Sequence, residues 1–352
     1  MSNPTRIGVA GAGLIGRKHV ELIEASPDCV VAGIADPSDE ARTFAKAQHI
    51  SWYSDHRQLL EREKPDGIVV ASPNALHLAM TLDCVERGVP VLVEKPVTDT
   101  VASALRLQKA VQRSGVPVLV GHHRRHNPMI KAARDSIADG RIGRLTAVVG
   151  LWLLKKPDDY FDIAWRREPG GGPVLINLVH DIDNLRFICG EIVEVQALVS
   201  NKVRRFAVED TAALLLNFAN GAIGTVTVSD ATPAPWSWEL SSGENAAYPR
   251  QNQPCYLFAG TEGSLSLPAM QLWSYPGPSG WHAPLARAHV SAATLDPLVE
   301  QLRHFLAVIA SCETPLISVE DAIGTIAVVE AVRETARTGA SVSPGQIMEQ
   351  AA

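Results

Sequence analysis

The sequence predicts an α/β chain of two parts: a doubly wound parallel sheet over residues 1–122, then a larger α+β part with a mostly antiparallel sheet over residues 123–352. Three observations predict it. Strand-like and helix-like segments alternate through the first third, a pattern that requires a parallel sheet with helices on its faces. The glycine run Gly11-Ala12-Gly13-Leu14-Ile15-Gly16 joins the first strand to the first helix. Beyond residue 122 long strand-like runs follow one another, with Asn220-Gly221 as a hairpin turn.

The elements follow in order. Arg6-Ile7-Gly8-Val9-Ala10 reads as the first strand. In the turn after it, Gly11 makes the bend, Gly13 lets the backbone approach a pyrophosphate, and Gly16 lets the helix pack on the strand. The free N–H groups of the helix then face the phosphates. Residues 30–35 form the second strand, ending at Asp36. Helices over 38–47 and 55–63 lead to a buried strand over 67–71, closed by Ser72-Pro73-Asn74. A helix over 75–87 stops at Gly88, and residues 89–93 run into Glu94-Lys95-Pro96. A helix over 101–113 and a strand over 116–120 complete the first part. In the second part residues 145–154, 193–201, 211–219 and 222–228 read as strands, and 229–282 as a loop-rich region dense in Pro, Gly, Ser and Trp. Helices over 296–311 and 319–338 end the chain, the second stopped by Gly339, and a C-terminal helix is expected to pack back on the first part.

Composition narrows the function classes. At 352 residues the chain exceeds the ~100–200 residues of one domain, so two are expected. With 46% hydrophobic and 20% charged residues, it has the balance of a soluble globular protein. A formal net charge of -6 argues against nucleic acid or an anionic membrane as the main partner. No apolar run reaches the ~18 residues of a spanning helix. No apolar segment follows Arg6, so no secretory signal is expected. Five cysteines, far apart and odd in number, suit reduced core thiols in a cytoplasmic protein better than a disulfide framework.

Asp36 stands 20 residues after Gly16 at the end of the second strand. A carboxylate there accepts hydrogen bonds from the adenosine ribose hydroxyls and repels a 2′-phosphate, so NAD is expected over NADP. The competing reading makes Asp36-Pro37-Ser38 a turn with a helix cap. Lys95 is expected at a strand's carboxyl end, where open α/β sheets bind ligands. Its ammonium group there hydrogen-bonds a substrate hydroxyl, unless it is a surface lysine paired with Glu94. Asn74 is a candidate cofactor contact, and His77 is either a further contact or a structural residue of the first helical turn.

Gly170-Gly171-Gly172-Pro173 opens an apolar helix running through Leu185. Asn177, His180, Asp181 and Asn184 recur in it at three- and four-residue spacing and so share one face. Asn177 and His180 are candidates to meet a hydroxylated ligand, with His180 taking a proton; a satisfied core histidine is the alternative. Asp183 reads as support or helix surface. His122-His123-Arg124-Arg125-His126 gathers cations that either select a carboxylate or phosphate or form a solvated connector. Trp165-Arg166-Arg167 is a second candidate for the anion. No His-x-x-x-His spacing is present, and no metal is expected.

Together these motifs resemble the glucose-fructose oxidoreductase, inositol dehydrogenase and rhizopine catabolism family (Gfo/Idh/MocA). The resemblance spans nearly the whole chain. Gly11 to Gly16, Ser72-Pro73-Asn74 with His77, Glu94-Lys95-Pro96, Arg124-Arg125 before Pro128, and Gly170-Gly171-Gly172 leading to His180 and Asp183 carry it. It implies an N-terminal Rossmann domain and an open C-terminal sheet that forms a substrate wall and a homodimer or homotetramer interface. It implies Lys95 as the catalytic lysine, His180 as the proton-transferring histidine, and sugars, cyclitols or related polyols as substrates. The chain departs from the family at Ile176, where an aspartate is usual, and at His123 and His126, which flank the arginine pair. Those departures make a sugar acid a substrate of interest.

The expected cofactor site is therefore Gly11, Gly13, Leu14, Ile15, Gly16, Asp36, Ser72, Asn74, His77, Glu94 and Lys95. The expected substrate site is Asn177, Arg124, Arg166 and His123, with Lys95 and His180 catalytic. The expected activity is NAD-dependent hydride transfer from a secondary alcohol of a sugar, cyclitol, polyol or sugar acid. A dinucleotide-binding sensor of the same fold and a glycosidase working through transient oxidation are the alternatives.

Overall fold

The computed structural model describes residues 3–352; Met1 and Ser2, which the N-terminal reading includes, lie outside the described residues. By packing, the chain divides into two units. One holds the chain up to His123 with Leu298–Ile326 and Ala351–Ala352; the other holds Arg124–Pro297 and Ala327–Gln350. Beyond the expected cut between residues 122 and 123, the helical segment Leu298–Ile326 thus groups with the first unit.

In the first unit β1 (Thr5–Ala10), β2 (Cys29–Ala35), β3 (Trp52–Tyr53), β4 (Gly67–Val70), β5 (Val91–Glu94) and β6 (Val118–Gly121) form one parallel sheet. Their order is β3-β2-β1-β4-β5-β6. It reverses between β1 and β4, and beyond the strand carboxyl ends there such sheets bind ligands. β4, β5 and β6 are buried end to end, because apolar β-branched runs suit a sheet covered on both faces. Helices α1 (Leu14–Ala25), α2 (Asp39–Ala47), α3 (His56–Glu63), α4 (Asn74–Glu86) and α5 (Val101–Ser114) supply that cover. Ser38 and Asp55 are caps rather than first helical residues; their side chains accept from the Ala41 and Arg57 N–H groups.

The second unit starts with a 3₁₀ turn that reaches His126 and α6 (Pro128–Ala138), followed by β7 (Leu145–Leu153), α7 (Pro173–Ile176) and α8 (Leu178–Cys189). Then come β8 (Ile192–Ser200), β9 (Thr211–Phe218), β10 (Ile223–Ser229), α9 (Trp238–Ser241), β11 (Tyr256–Gly260), β12 (Gly263–Leu267), β13 (Gln271–Ser274) and β14 (Ala286–His289). The eight strands run β14-β13-β12-β11-β7-β10-β9-β8, antiparallel except for the parallel pair β7 and β10. Alternate residues such as Val148, Val195, Leu214, Val226 and Phe258 enter the core, where α6 and α8 cover them. Three of these strands, β11 to β13, fall where the sequence predicts loops: they are four or five residues long and rich in Gly and Ser, too short to show a period against their neighbours.

α10 (Pro297–Ile309) packs on β4, whose Gly67 leaves no space for a Cβ beside Ile309 and Phe305. α11 (Val319–Thr338) and α12 (Pro344–Ala351) close the chain. Four cysteines are buried, but Cys312 is exposed, correcting the expectation of five core thiols. No helix among the described residues is long and apolar enough to cross a membrane.

Candidate active site

In the first unit the cofactor candidates gather where β1, β2 and β4 end. Gly11 has φ +102°, and a Cβ there would fall 2.4 Å from the Ala71 carbonyl oxygen. One on Gly16 would fall 2.0 Å from the Gly11 oxygen, so the chain's own packing requires both glycines. A Cβ on Gly13 would meet nothing within 4 Å; the protein leaves space there that it does not fill itself. α1 begins without a side-chain cap, which leaves its first N–H groups for an anion. Leu14 beside them is 95% exposed and Ile15 half-buried, apolar surface for a ligand to cover.

Asp36 accepts hydrogen bonds from the Ala12 N–H at 2.8 Å and from the Ser38 N–H and hydroxyl at 2.9 and 2.6 Å. Burial opposes its ionisation, but these bonds and the Arg17 charge hold its pKa below the ordinary carboxylate range. The turn reading of Asp36 thus holds, since its carboxylate braces the start of α2, and the same carboxylate also accepts from the glycine turn. Ser72 Oγ, after β4, is buried without a hydrogen-bond partner. Asn74 is half-buried as the first residue of α4. An uncapped helix start, open space, a carboxylate held ionised and an orphaned hydroxyl fit a dinucleotide.

Lys95 follows β5, half-buried, and its peptide bond to Pro96 is cis. Its N–H donates to Glu94 Oε2 at 3.3 Å. Glu94 and His77, both expected at the cofactor, are held by partners within the protein. Glu94 is buried with Oε1 2.8 Å from His19 Nε2. Burial raises its pKa, but the bond to His19 and the nearby charges of His19, His123 and Lys95 bring it below the ordinary range. His77 is 1% exposed, its ring nitrogens 2.8 Å from the Pro96 carbonyl and 2.9 Å from that of Ser72. Burial lowers its pKa against those two bonds. Both side chains are spent on fixing the loop that carries Lys95.

In the second unit the helix expected over 173–185 is broken at Asn177 into α7 and α8. Gly171 and Gly172 admit the chain because a Cβ on either would strike Trp165 O at 2.4 Å or Glu209 Oε1 at 2.3 Å. The Asn177 carbonyl accepts from the His180 N–H at 3.0 Å, and Asn177 Oδ1 is buried without a partner. The single polar stripe expected here is split. Asn177 and His180 are half-buried, whereas Asp181 and Asn184 turn inward onto Tyr256, whose hydroxyl donates to Asp181 and accepts from Asn184. Asp183 clamps Arg125 through buried bonds of 2.8 and 2.7 Å, fastening α8 to the turn before α6.

Arg124, expected at the substrate, is surrounded by carboxylates of the protein itself. It is buried, donates to Glu239 Oε1 at 2.6 Å, and has Asp181 at 3.9 Å and Glu244 at 4.0 Å. Burial works against its charge, but the three carboxylates hold its pKa above the ordinary value and neutralise it. The indoles of Trp152 and Trp238 donate to Glu239 at 2.8 Å and Glu244 at 2.9 Å. Asp181, desolvated by burial against the attraction of Arg124, is pushed up to about 7. Glu239 and Glu244 lie more than a hundred residues along the chain from Arg124, so no local motif announces them. His123 is half-exposed, its charge lowering the pKa of Glu94.

Arg166 is half-buried with its guanidinium 4.0 Å from the centre of the Tyr160 ring. Lys156, which carries no motif in the sequence, is buried with Nζ 4.8 Å from the same ring. Among the described residues no group of three His, Cys, Asp or Glu side chains is placed to hold a metal.

Residues 5–122 match the model of an oxidoreductase family with an NAD-binding Rossmann fold, and residues 130–266 match the GFO/IDH/MocA C-terminal domain. The chain is 30% identical to the rhizopine catabolism protein MocA of Rhizobium meliloti, over 65% of this chain and 72% of that protein. It is 29% identical to inositol 2-dehydrogenase 2 of Saccharopolyspora erythraea, over 98% and 97%. Its fold is that of an Agrobacterium radiobacter oxidoreductase solved with NAD+, L-tartaric acid and magnesium, with a TM-score of 0.81 at 20% identity over 98% and 100% of the two chains. With the parallel sheet, its glycine turn and the mixed eight-stranded sheet already in place, these matches show that the chain belongs to the Gfo/Idh/MocA family of NAD-binding oxidoreductases.

Proposed function

We propose that the chain is an NAD-dependent dehydrogenase acting on a secondary alcohol of a sugar, cyclitol, polyol or sugar acid. The observation that carries this reading is the setting of Lys95. Its ammonium group stands at the carboxyl end of β5, on a loop held by His77 and next to a buried Glu94. Gly11 to Gly16, Asp36, Ser72 and Asn74 would hold NAD, which supplies the hydride acceptor. Lys95 donates a hydrogen bond to the reacting oxygen, and its charge favours the alkoxide character that develops there. The His180 imidazole takes the hydroxyl proton. Asn177 Oδ1 accepts from a neighbouring hydroxyl and so orients the substrate. Ile176 cannot ionise where the family commonly has aspartate, so the proton rests with His180 and Lys95. Relatives named for inositol 2-dehydrogenation and rhizopine catabolism support a polyhydroxylated substrate.

The same proposal includes a homodimer or homotetramer through the uncovered face of the eight-stranded sheet. Leu215, Thr225, Val149 and Leu257 stand in register across four adjacent strands, with exposed Leu198 and Ile223 on the same face. An exposed apolar row of this kind marks an interaction surface.

The test of the activity follows NADH absorbance with NAD and a panel of inositols, aldoses, alditols and their acids. At least one class is expected to turn over at a kcat of about 1–1000 s⁻¹. Firm NAD binding with no oxidation anywhere in the panel contradicts the reading.

A further inference from the structure

We propose that Lys156 and Arg166 form a carboxylate subsite, and that the substrate is an acid-bearing polyol such as an aldonate rather than a neutral sugar. The inference rests on the dehydrogenase reading and adds the substrate's charge to it. Lys156 is 7% exposed, and its Nζ has no hydrogen bond; its nearest carboxylate, on Asp230, is 3.5 Å away. That carboxylate is already shared. Arg204 Nε donates to Asp230 Oδ1 at 2.9 Å, while its Nη2 donates to the Asp230 and Lys156 carbonyls. Asp210 is turned away to the Val203 and Arg204 N–H groups and the Thr211 hydroxyl. Arg204 also reaches the exposed Asp158 at 3.6 Å.

Arg166 has no carboxylate partner among the described residues. Its Nη1 donates to the Tyr160 carbonyl, and its Nε is buried without a partner. Both cations lie against the Tyr160 ring, and burial first, then the Arg204 and Arg166 charges, lower the pKa of Lys156 against the attraction of Asp230. Lys156 shares its one carboxylate, Asp230, with Arg204, and Arg166 beside it on the ring has none, which leaves positive charge uncompensated in a chain whose net charge is -6. Such charge is stabilised by a bound anion, and a guanidinium fork matches a carboxylate. The position is also right. Gly171 packs directly on the Trp165 and Arg166 backbone, so Arg166 sits at the opening of the helices that carry Asn177 and His180.

The experiment titrates D-gluconate and its neutral counterpart D-glucitol, and D-glycerate against glycerol, into the NADH complex by calorimetry, with turnover measured in parallel. Wild type is expected to bind the acid of at least one pair about 10- to 100-fold more tightly, the worth of a charge-assisted hydrogen bond or two. The preference is expected to vanish in R166M, to shrink in K156M, and to survive in part in R166K, which keeps the charge but not the fork. Equal binding of acid and neutral ligand, no acid binding at all, or a preference that outlives both R166M and K156M overturns the subsite. Turnover of neutral polyols without an acid preference defeats the subsite and leaves the dehydrogenase standing. An acid preference that depends on Arg166, without any turnover, supports the subsite and defeats the dehydrogenase.

Discussion

At the scale of single residues, Arg124 and Asp181 show how burial reassigns a side chain. A guanidinium beside a predicted ligand site reads as an anion hook, yet Glu239, Glu244 and Asp181 have already neutralised this one. The same cluster makes Asp181 a stability switch. Its pKa of about 7 in the folded chain lies above that of an unfolded aspartate, so the folded state holds the proton more tightly. Its contribution is greatest below the unfolded value and declines as pH rises to about 7, by up to about 1.4 kcal/mol for each pH unit crossed. Asp181→Asn, which keeps an acceptor for the Tyr256 hydroxyl, is expected to flatten the fall in urea midpoint between pH 5 and 7.5 relative to wild type. Parallel pH profiles for the two proteins would show that Asp181 is not the titrating group. What the sequence revealed at this scale was the placement of Asp36 and Lys95 just beyond strand ends. The fates of Glu94 and His77 were hidden, because they depend on His19 and on carbonyls brought together only by folding.

At the scale of elements, the glycine turn separates what the fold needs from what a ligand needs. Gly16→Ala places a Cβ 2.0 Å from a backbone oxygen and is expected to cost at least about 2 kcal/mol of stability. Gly13→Ala adds its Cβ to open space, so it should cost no more than about 1 kcal/mol. Its expected effect is on NAD affinity, weakened at least about tenfold by the loss of close backbone approach to the pyrophosphate. Thermal unfolding and NAD titration of the two variants check this; a Gly13→Ala protein with wild-type affinity would remove the turn from the cofactor site. The parallel sheet was legible because its strands are short apolar runs that alternate with helices. The break at Asn177 was not, since no glycine or proline marks it, and β11 to β13 were lost among turn residues.

For the whole molecule, the sequence carried the two-part organisation and a C-terminal helix packing back on the first part, but not which residues do so: 298–326 group with the first unit, where Phe305 and Ile309 lie on Gly67. Nor does composition reveal a positive cluster inside an acidic chain. The uncovered sheet face belongs to this scale as well. Leu215→Glu, a charge placed in the exposed row at its β9 end, is expected to convert an oligomer into monomers by light scattering while NAD binding persists. A monomeric wild type would end the interface proposal. The central claim is that Lys95 and His180 handle the proton of an NAD-dependent alcohol oxidation. Single-turnover hydride transfer in NAD-saturated wild type, Lys95→Met and His180→Asn tests it most directly, with NAD affinity measured on the same samples. Each variant is expected to lose about 10²- to 10⁴-fold in rate with NAD affinity near that of wild type; hydride transfer at the wild-type rate in either one would contradict the account.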